Sequence, residues 1–302
     1  MKNKIQQPSA EIPNQAYQLY DKYAHGMLSR RDFFSAMAGL AVNAALATTF
    51  INSMLPNYAL AQQVSFNDAE IIASYQKFPA PLGHGEGRGY LVKPKNATAA
   101  LPTVLVIHEN RGLNPYIEDV ARRLAKAGFI AFAPDALWPL GGYPGNDDDG
   151  RQMQRSLEPG KIIADFKAAA NWLKQLEGGN GKLGVVGFCF GGAMAGRLAA
   201  ELPDTVNAAV PFYGSPPPAE SISAIKAPLL VQLGELDERV NAMWPAAEAL
   251  FKQHKLDYKI EMYPASHHGF HNDSTARYNK GMAELAWQRT LAFFRQHSFW
   301  VR

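Results

Sequence analysis

The chain has 302 residues, 47% of them hydrophobic and 19% charged, with a formal net charge of +3. Such a chain has room for one large α/β domain or two small ones, and its charge is too small for the basic field that nucleic-acid binding needs. One cysteine, Cys189, excludes an intrachain disulfide and any C-x-x-C zinc or redox motif.

The first 61 residues differ in kind from the rest. In "SRRDFFSAMAGLAVNAALATTFINSMLPNYALA" the pair Arg30 and Arg31 precedes a mildly apolar stretch that ends, after Pro56, at the A-x-A triplet 59–61. Twin arginines, a modest apolar run and small terminal residues match a twin-arginine export signal. The expectation is a leader over 1–61 and a mature chain of 241 residues, 62–302, delivered to the periplasm. The export machinery is then a partner, and the membrane is met only during export. An uncleaved anchor and a docking helix are the alternatives; Asn43 and Asn52 weigh against the anchor, because polar groups are costly in a membrane span.

Beyond it, residues 66–94 suggest leading strands, "GEGRGYLVKP" most clearly. "LPTVLVIHE" (101–109) is a buried strand, 116–127 a helix and "FIAFAPD" (129–135) another strand; 136–150 reads as loop. A helix follows over 159–177, opened by Pro159 and stopped by Gly178 and Gly179. "KLGVVGF" (182–188) is a strand and 190–202 a small-residue helix. Strands at 206–214, 227–235 and 257–264 alternate with helices at 240–254 and 276–296. The alternation predicts an α/β fold, a mainly parallel sheet with helices on both faces, as a single domain over 62–302.

"VGFCFGG" (186–192) sets Cys189 between a strand and a helix in the pattern G-x-C-x-G-G, a nucleophile elbow with cysteine in place of the commoner serine. A sharp strand-to-helix turn needs residues without Cβ beside the nucleophile. It also aims the N–H groups of the next helix at the thiol, favouring a thiolate and an oxyanion. The architecture asks next for an acid and then a histidine. "GELDERV" supplies Asp237 just past a strand, and "YPASHHGFHND" supplies His267, His268 and His271 just past the last one. Open parallel sheets put their sites in such loops. No G-x-G-x-x-G or G-K-[ST] nucleotide loop occurs, and "HENR" lacks the second histidine of H-E-x-x-H. No motif implies an organic cofactor or a metal.

With "HENRGL" (108–113), "GFCFGG" (187–192), "GELDERV" (234–240) and "SHHGF" (266–270), the sequence from about 66 to 297 resembles the dienelactone hydrolase family, the Cys-His-Asp branch of the α/β-hydrolase fold. The resemblance selects His268 as the histidine and implies a triad of Cys189, Asp237 and His268. It implies that Glu109 hydrogen-bonds the resting cysteine, and that backbone N–H groups of Phe190 and Asn110 form the oxyanion hole. The activity implied is carboxylic-ester hydrolysis of the carboxymethylenebutenolidase type, on a small ester or lactone, through a thioester. The bland reading of Glu109 is a buried ion pair with Arg111 or Arg151.

The sequence departs from the family at its substrate clamp. The two arginines that hold a substrate carboxylate would stand near Pro139 and Asn272, and neither is arginine. Trp138, Tyr143, Phe188 and Phe190 suggest a partly apolar pocket that takes a neutral ester or lactone, with Arg151 and Arg277 as charged residues able to reach it. Two other functions compete. One is a thiol-bearing binding protein or redox sensor on the same scaffold, which would need no Asp237. The other is a broad carboxylesterase.

Overall fold

The apolar runs become the strands of one sheet in the computed structural model, which describes residues 12–298 apart from 42 and 60. They are β1 (Ile71–Ala80), β2 (Gly85–Pro94), β3 (Leu101–Ile107), β4 (Ile130–Pro134), β5 (Gly179–Phe188), β6 (Ala208–Phe212), β7 (Leu229–Gly234) and β8 (Tyr258–Tyr263). Their order is β1-β2-β4-β3-β5-β6-β7-β8. The strands from β4 to β8 run parallel, while β1 and β2 are antiparallel additions at one edge. The direction of winding reverses at β3, so the carboxyl ends of β3 and β5 border a crevice where such sheets bind ligands.

Three helices lie ahead of the sheet: α1 (Asn14–Ala24), α2 (Arg30–Gly39) and α3 (Ala44–Met54). Then follow α4 (Pro115–Lys126), α5 (Asp147–Ser156), α6 (Pro159–Lys174), α7 (Phe190–Glu201), α8 (Glu238–Asn241), α9 (Trp244–Gln253) and α10 (Lys280–Ser298). Ile117, Val120 and Leu124 of α4 share one apolar layer with Ala283, Ala286 and Phe294 of α10. Ile162 and Phe166 of α6, Leu198 of α7 and Phe251 of α9 fill the opposite layer. Helices on both faces are as the alternating pattern predicts.

Three expected elements differ. The loop 136–150 ends inside α5, because Asn146 accepts from the Asp149 N–H (2.9 Å) and three aspartates occupy the first turn, where the helix dipole favours negative charge. The single helix 240–254 is two helices, since Pro245 can stand only in the first turn of α9. The last helix begins at Lys280, four residues later than expected, after a long loop that carries the histidines.

Residues 14–54, read as part of an export leader, fold into α1–α3 against the sheet domain. Ser29 caps α2 through the Asp32 N–H (3.1 Å), and Asn43 caps α3 through the Leu46 N–H (2.9 Å). The three helices share a core of Tyr20, Tyr23, Phe33, Met37, Phe50 and Met54. Phe33 is fully buried and stacks on Tyr23 at 4.6 Å, so the aromatic residue following the twin arginines is a packing residue here. Burying such a ring is worth about 2–3 kcal/mol. Backbone bonds tie the unit down: the Asn57 N–H to the Ser274 carbonyl (2.7 Å) and the Ala276 N–H to the Ser53 carbonyl (3.1 Å). No helix among the described residues is long and apolar enough to cross a membrane. Of the A-x-A triplet, Ala61 is buried and residue 60 lies outside the described residues, as do the outer ends, 1 and 302, of the expected spans 1–61 and 62–302.

Candidate active site

Cys189 stands at the tip of β5 and opens α7, with φ 56° and ψ −111°. A left-handed, strained φ at a non-glycine residue is what a nucleophile elbow imposes. The glycines around it are required by close approach. A Cβ on Gly187 would lie 1.9 Å from the Gly191 carbonyl oxygen, and one on Gly191 would lie 2.2 Å from that of Ile107. Only glycines let β5, α7 and β3 meet so tightly.

The acid and the histidine arrive from β7 and β8. Asp237 follows β7 and caps α8, accepting the Val240 N–H (3.2 Å) with one oxygen. Its other oxygen accepts the Nδ1–H of His268 at 2.6 Å, with both side chains buried. That bond fixes the tautomer and leaves His268 Nε2, which has no standard hydrogen bond among the described residues, to face the sulfur. Burial opposes a charged imidazole, but Asp237 and the thiol together hold His268 well above its ordinary pKa. Its neighbours behave otherwise. His267 stacks on Tyr17 (4.0 Å) and is pushed down to about 4 by burial and by Arg277. His271 is a core histidine, bonded to the Tyr116 hydroxyl (2.7 Å) and held well below its usual pKa by burial and then Arg123.

A residue absent from the sequence reading completes the surroundings of the thiol. His25, in the turn after α1, places Nε2 3.2 Å from Cys189 Sγ. Its ring stands edge-on to His268 at 4.8 Å. Burial pushes the Cys189 thiol up, but His25 and His268 outweigh it and bring the pKa down to about 5. One side-chain nitrogen of His25, one of His268 and the Cys189 sulfur lie within 4.8 Å of one another, so two imidazoles face one thiol. The signal for His25 in sequence was slight: a "YAHG" turn in a segment assigned to export.

Glu109 is not the partner of the sulfur in this structure. Its carboxylate accepts from the Asn272 side-chain amide (3.1 Å), while His25 occupies the place beside the thiol. Neither is it paired with Arg111, which binds Asp147 (2.6 Å), or with Arg151, which binds Asp148 (3.3 Å). The predicted oxyanion-hole residues Asn110 and Phe190 come together on a cavity of about 530 Å³. Leu157, Ile162, Ile163 and Met194 give that cavity an apolar wall, and Arg151, Arg155 and Arg197 also line it.

The remaining pocket predictions divide. Arg151 lines that cavity as expected. Arg277 lines a second cleft, of about 300 Å³, beside His267 and His268, with its guanidinium over Tyr20 (4.7 Å). Trp138 lines neither; it lies near Arg88 (5.0 Å) and Lys77 (5.5 Å) at the antiparallel edge of the sheet. Tyr143 also lines neither and donates to Asp147 (2.9 Å). Phe188 is fully buried against Phe212 and His271, because successive strand residues face opposite sides and only Cys189 leaves the strand.

Comparison with known proteins accords with this geometry. The sequence profile of the dienelactone hydrolase family matches residues 88–298. A separate profile, described as YqhI-like, matches residues 3–42. The chain is 32% identical over 247 residues to a Saccharolobus solfataricus protein named "Putative carboxymethylenebutenolidase", covering 70% of this chain and 94% of that one. It is 35% identical over 221 residues to Protein usf of Aquifex pyrophilus, covering 70% of this chain and 93% of that one. The crystal structure of dienelactone hydrolase from Anabaena variabilis superposes with a TM-score of 0.58 at 25% identity, covering 76% of this chain and 99% of that one. The elbow at Cys189, the sheet and these likenesses agree: the chain belongs to the dienelactone hydrolase family.

Proposed function

We propose that the protein hydrolyses a carboxylic ester or lactone with Cys189 as nucleophile, His268 as general acid and base, and Asp237 as the residue that orients His268. The observation that carries this reading is the 2.6 Å bond from His268 to Asp237 beside a thiol set on an elbow. The Cys189 thiolate attacks the carbonyl carbon and the carbonyl electron pair moves onto oxygen. The backbone N–H groups of Phe190 and Asn110 receive that oxyanion. Collapse expels the alcohol, which takes a proton from imidazolium, and leaves a thioester. Water, giving its proton to His268, attacks the thioester and returns the thiolate and the acid. A sensor would have no use for the Asp237–His268 pair. The test is a rapid acid quench during turnover of an activated ester, followed by peptide mass analysis. An acyl group on the peptide holding Cys189 is expected; turnover with no such adduct would overturn the mechanism.

The cavity changes the substrate expectation. Two family positions lack arginine, but Arg151, Arg155 and Arg197 reach the same cavity from α5 and α7. Arg197 is engaged by Glu201 (2.5 Å) and Arg151 by Asp148, while Arg155 has no hydrogen bond or ion pair among the described residues. An apolar wall with a free guanidinium suits an ester or lactone that carries a carboxylate. Arg155→Ala should raise KM for a carboxylate-bearing ester about 10–100-fold, the worth of one charge-assisted hydrogen bond. KM for a neutral ester of the same size should stay within about twofold. Steady-state kinetics on the matched pair checks this.

A further inference from the structure

The hydrolytic reading leaves one group at the reacting sulfur without a role. His25 is held there from both sides. Its Nδ1 lies 2.8 Å from the Asp21 carbonyl oxygen and 3.1 Å from the Asp21 carboxylate, and Arg239 of α8 binds that carboxylate at 2.9 Å. The turn that carries it is also bound. The Ala24 carbonyl accepts from the Asn110 side chain (2.9 Å) and the Tyr23 carbonyl from Arg151 (2.5 Å). Gly26 has φ 72°, and a Cβ there would lie 1.6 Å from the Arg155 guanidinium, so this turn is shaped to the cavity wall. Ala61, the last residue of the expected leader, is buried, and residues 3–42 match a family profile of their own.

We propose that residues 14–54 are a resident cap of the enzyme and that His25 is its working group, taking the Cys189 proton on Nε2 and holding the sulfur as a thiolate at rest. The S–H bond breaks, an N–H bond forms, and the electron pair stays on sulfur. His268 keeps a proton of its own, gives it to the leaving alcohol and regains one from the attacking water. The inference rests on Cys189 being the nucleophile. The charges facing His25 are Asp21 from α1, Arg239 from α8, the thiol at the head of α7 and His268 from the loop after β8. Arg239, whose Nη2 is 3.0 Å from His25 Nε2, and His268 oppose protonation of His25. Burial opposes it too, but the thiolate and Asp21 outweigh all three and raise its pKa.

The test is the pH dependence of Cys189 alkylation by iodoacetamide in the full chain, which needs no turnover and is independent of the acyl quench. Wild type should be half-maximal near pH 5. His25→Gln keeps size and an N–H donor but not the charge, and should move the midpoint up by about 1–3 pH units. Asp21→Asn, which does not touch the sulfur, should move it the same way by less. An unmoved midpoint in His25→Gln overturns the proposal. So does a mature protein, purified from an exporting bacterium, that lacks residues 1–61 and keeps the wild-type midpoint. Retention of the segment in that protein supports it.

Discussion

Cys189→Ala should lower kcat for an activated ester by on the order of 10⁵–10⁶-fold, since removing the nucleophile of a triad costs about as much as removing the whole triad. The site gives reasons to expect the full effect. The described residues contain no second thiol, because Cys189 is the only cysteine of the chain. His25 and His268 both direct a nitrogen at the sulfur, and an alanine methyl leaves them with nothing to activate. What survives should be the contribution of binding and of the oxyanion hole. The fold should be unharmed, because alanine adopts the same elbow and keeps the Cys189 backbone bond to the Phe212 carbonyl (3.0 Å). Steady-state turnover beside a thermal melt checks both halves. Activity within tenfold of wild type would remove cysteine from the mechanism.

Asp237→Asn should cost about 10⁴-fold in kcat, equivalent to about 5.5 kcal/mol of transition-state stabilisation, with KM falling as the acyl enzyme builds up. The amide is nearly isosteric, and its oxygen can still cap α8 by accepting the Val240 N–H. If the NH₂ then turns toward His268, it donates where the carboxylate accepted, and Nδ1 must become an acceptor. The imidazole is pushed into the other tautomer, with Nε2 protonated and unable to take a proton from water. The charge that stabilises imidazolium is lost as well. Deacylation, which depends on His268 as a base, should therefore slow, and the acyl enzyme should accumulate in the variant. The quenched mass spectrum distinguishes this from a folding defect, which would leave no adduct.

The grouping proposed as the catalytic centre was legible because that chemistry leaves local marks. An elbow needs Gly187, Gly191 and Gly192 close around Cys189, and strands that end in a shared crevice place Asp237 and a histidine cluster in loops. The choice among His267, His268 and His271 came from family resemblance, and the structure gives it a physical basis in the single carboxylate bond to His268. Other features lacked such marks. Trp138 and Tyr143 lie near the site in sequence but turn toward the sheet edge and toward Asp147, and a loop's direction is set by tertiary contacts such as the three N–H groups gathered by Asp135. The run "NDDDG" has the composition of a loop, yet its asparagine and aspartates are what a helix start demands. His25 was invisible because its partner is 164 residues away, and its turn lies just ahead of the twin arginines in a segment read as an export leader.

The placement of His25 also bears on how the molecule is made. Its segment leaves the ribosome before the sheet domain, yet it seats on Cys189, on Arg239 and on the loop of His267, the last of which is synthesised some 240 residues later. Contacts of such long separation form late, after the sheet has closed the intervening chain. Until then the Tyr20 ring lacks the Arg111 and Arg277 guanidinium groups it lies against. A nascent chain should thus bury its thiol only on completion, and chains cut short before β8 should expose both a reactive cysteine and three unanchored helices, which marks them for aggregation or degradation rather than slow hydrolysis.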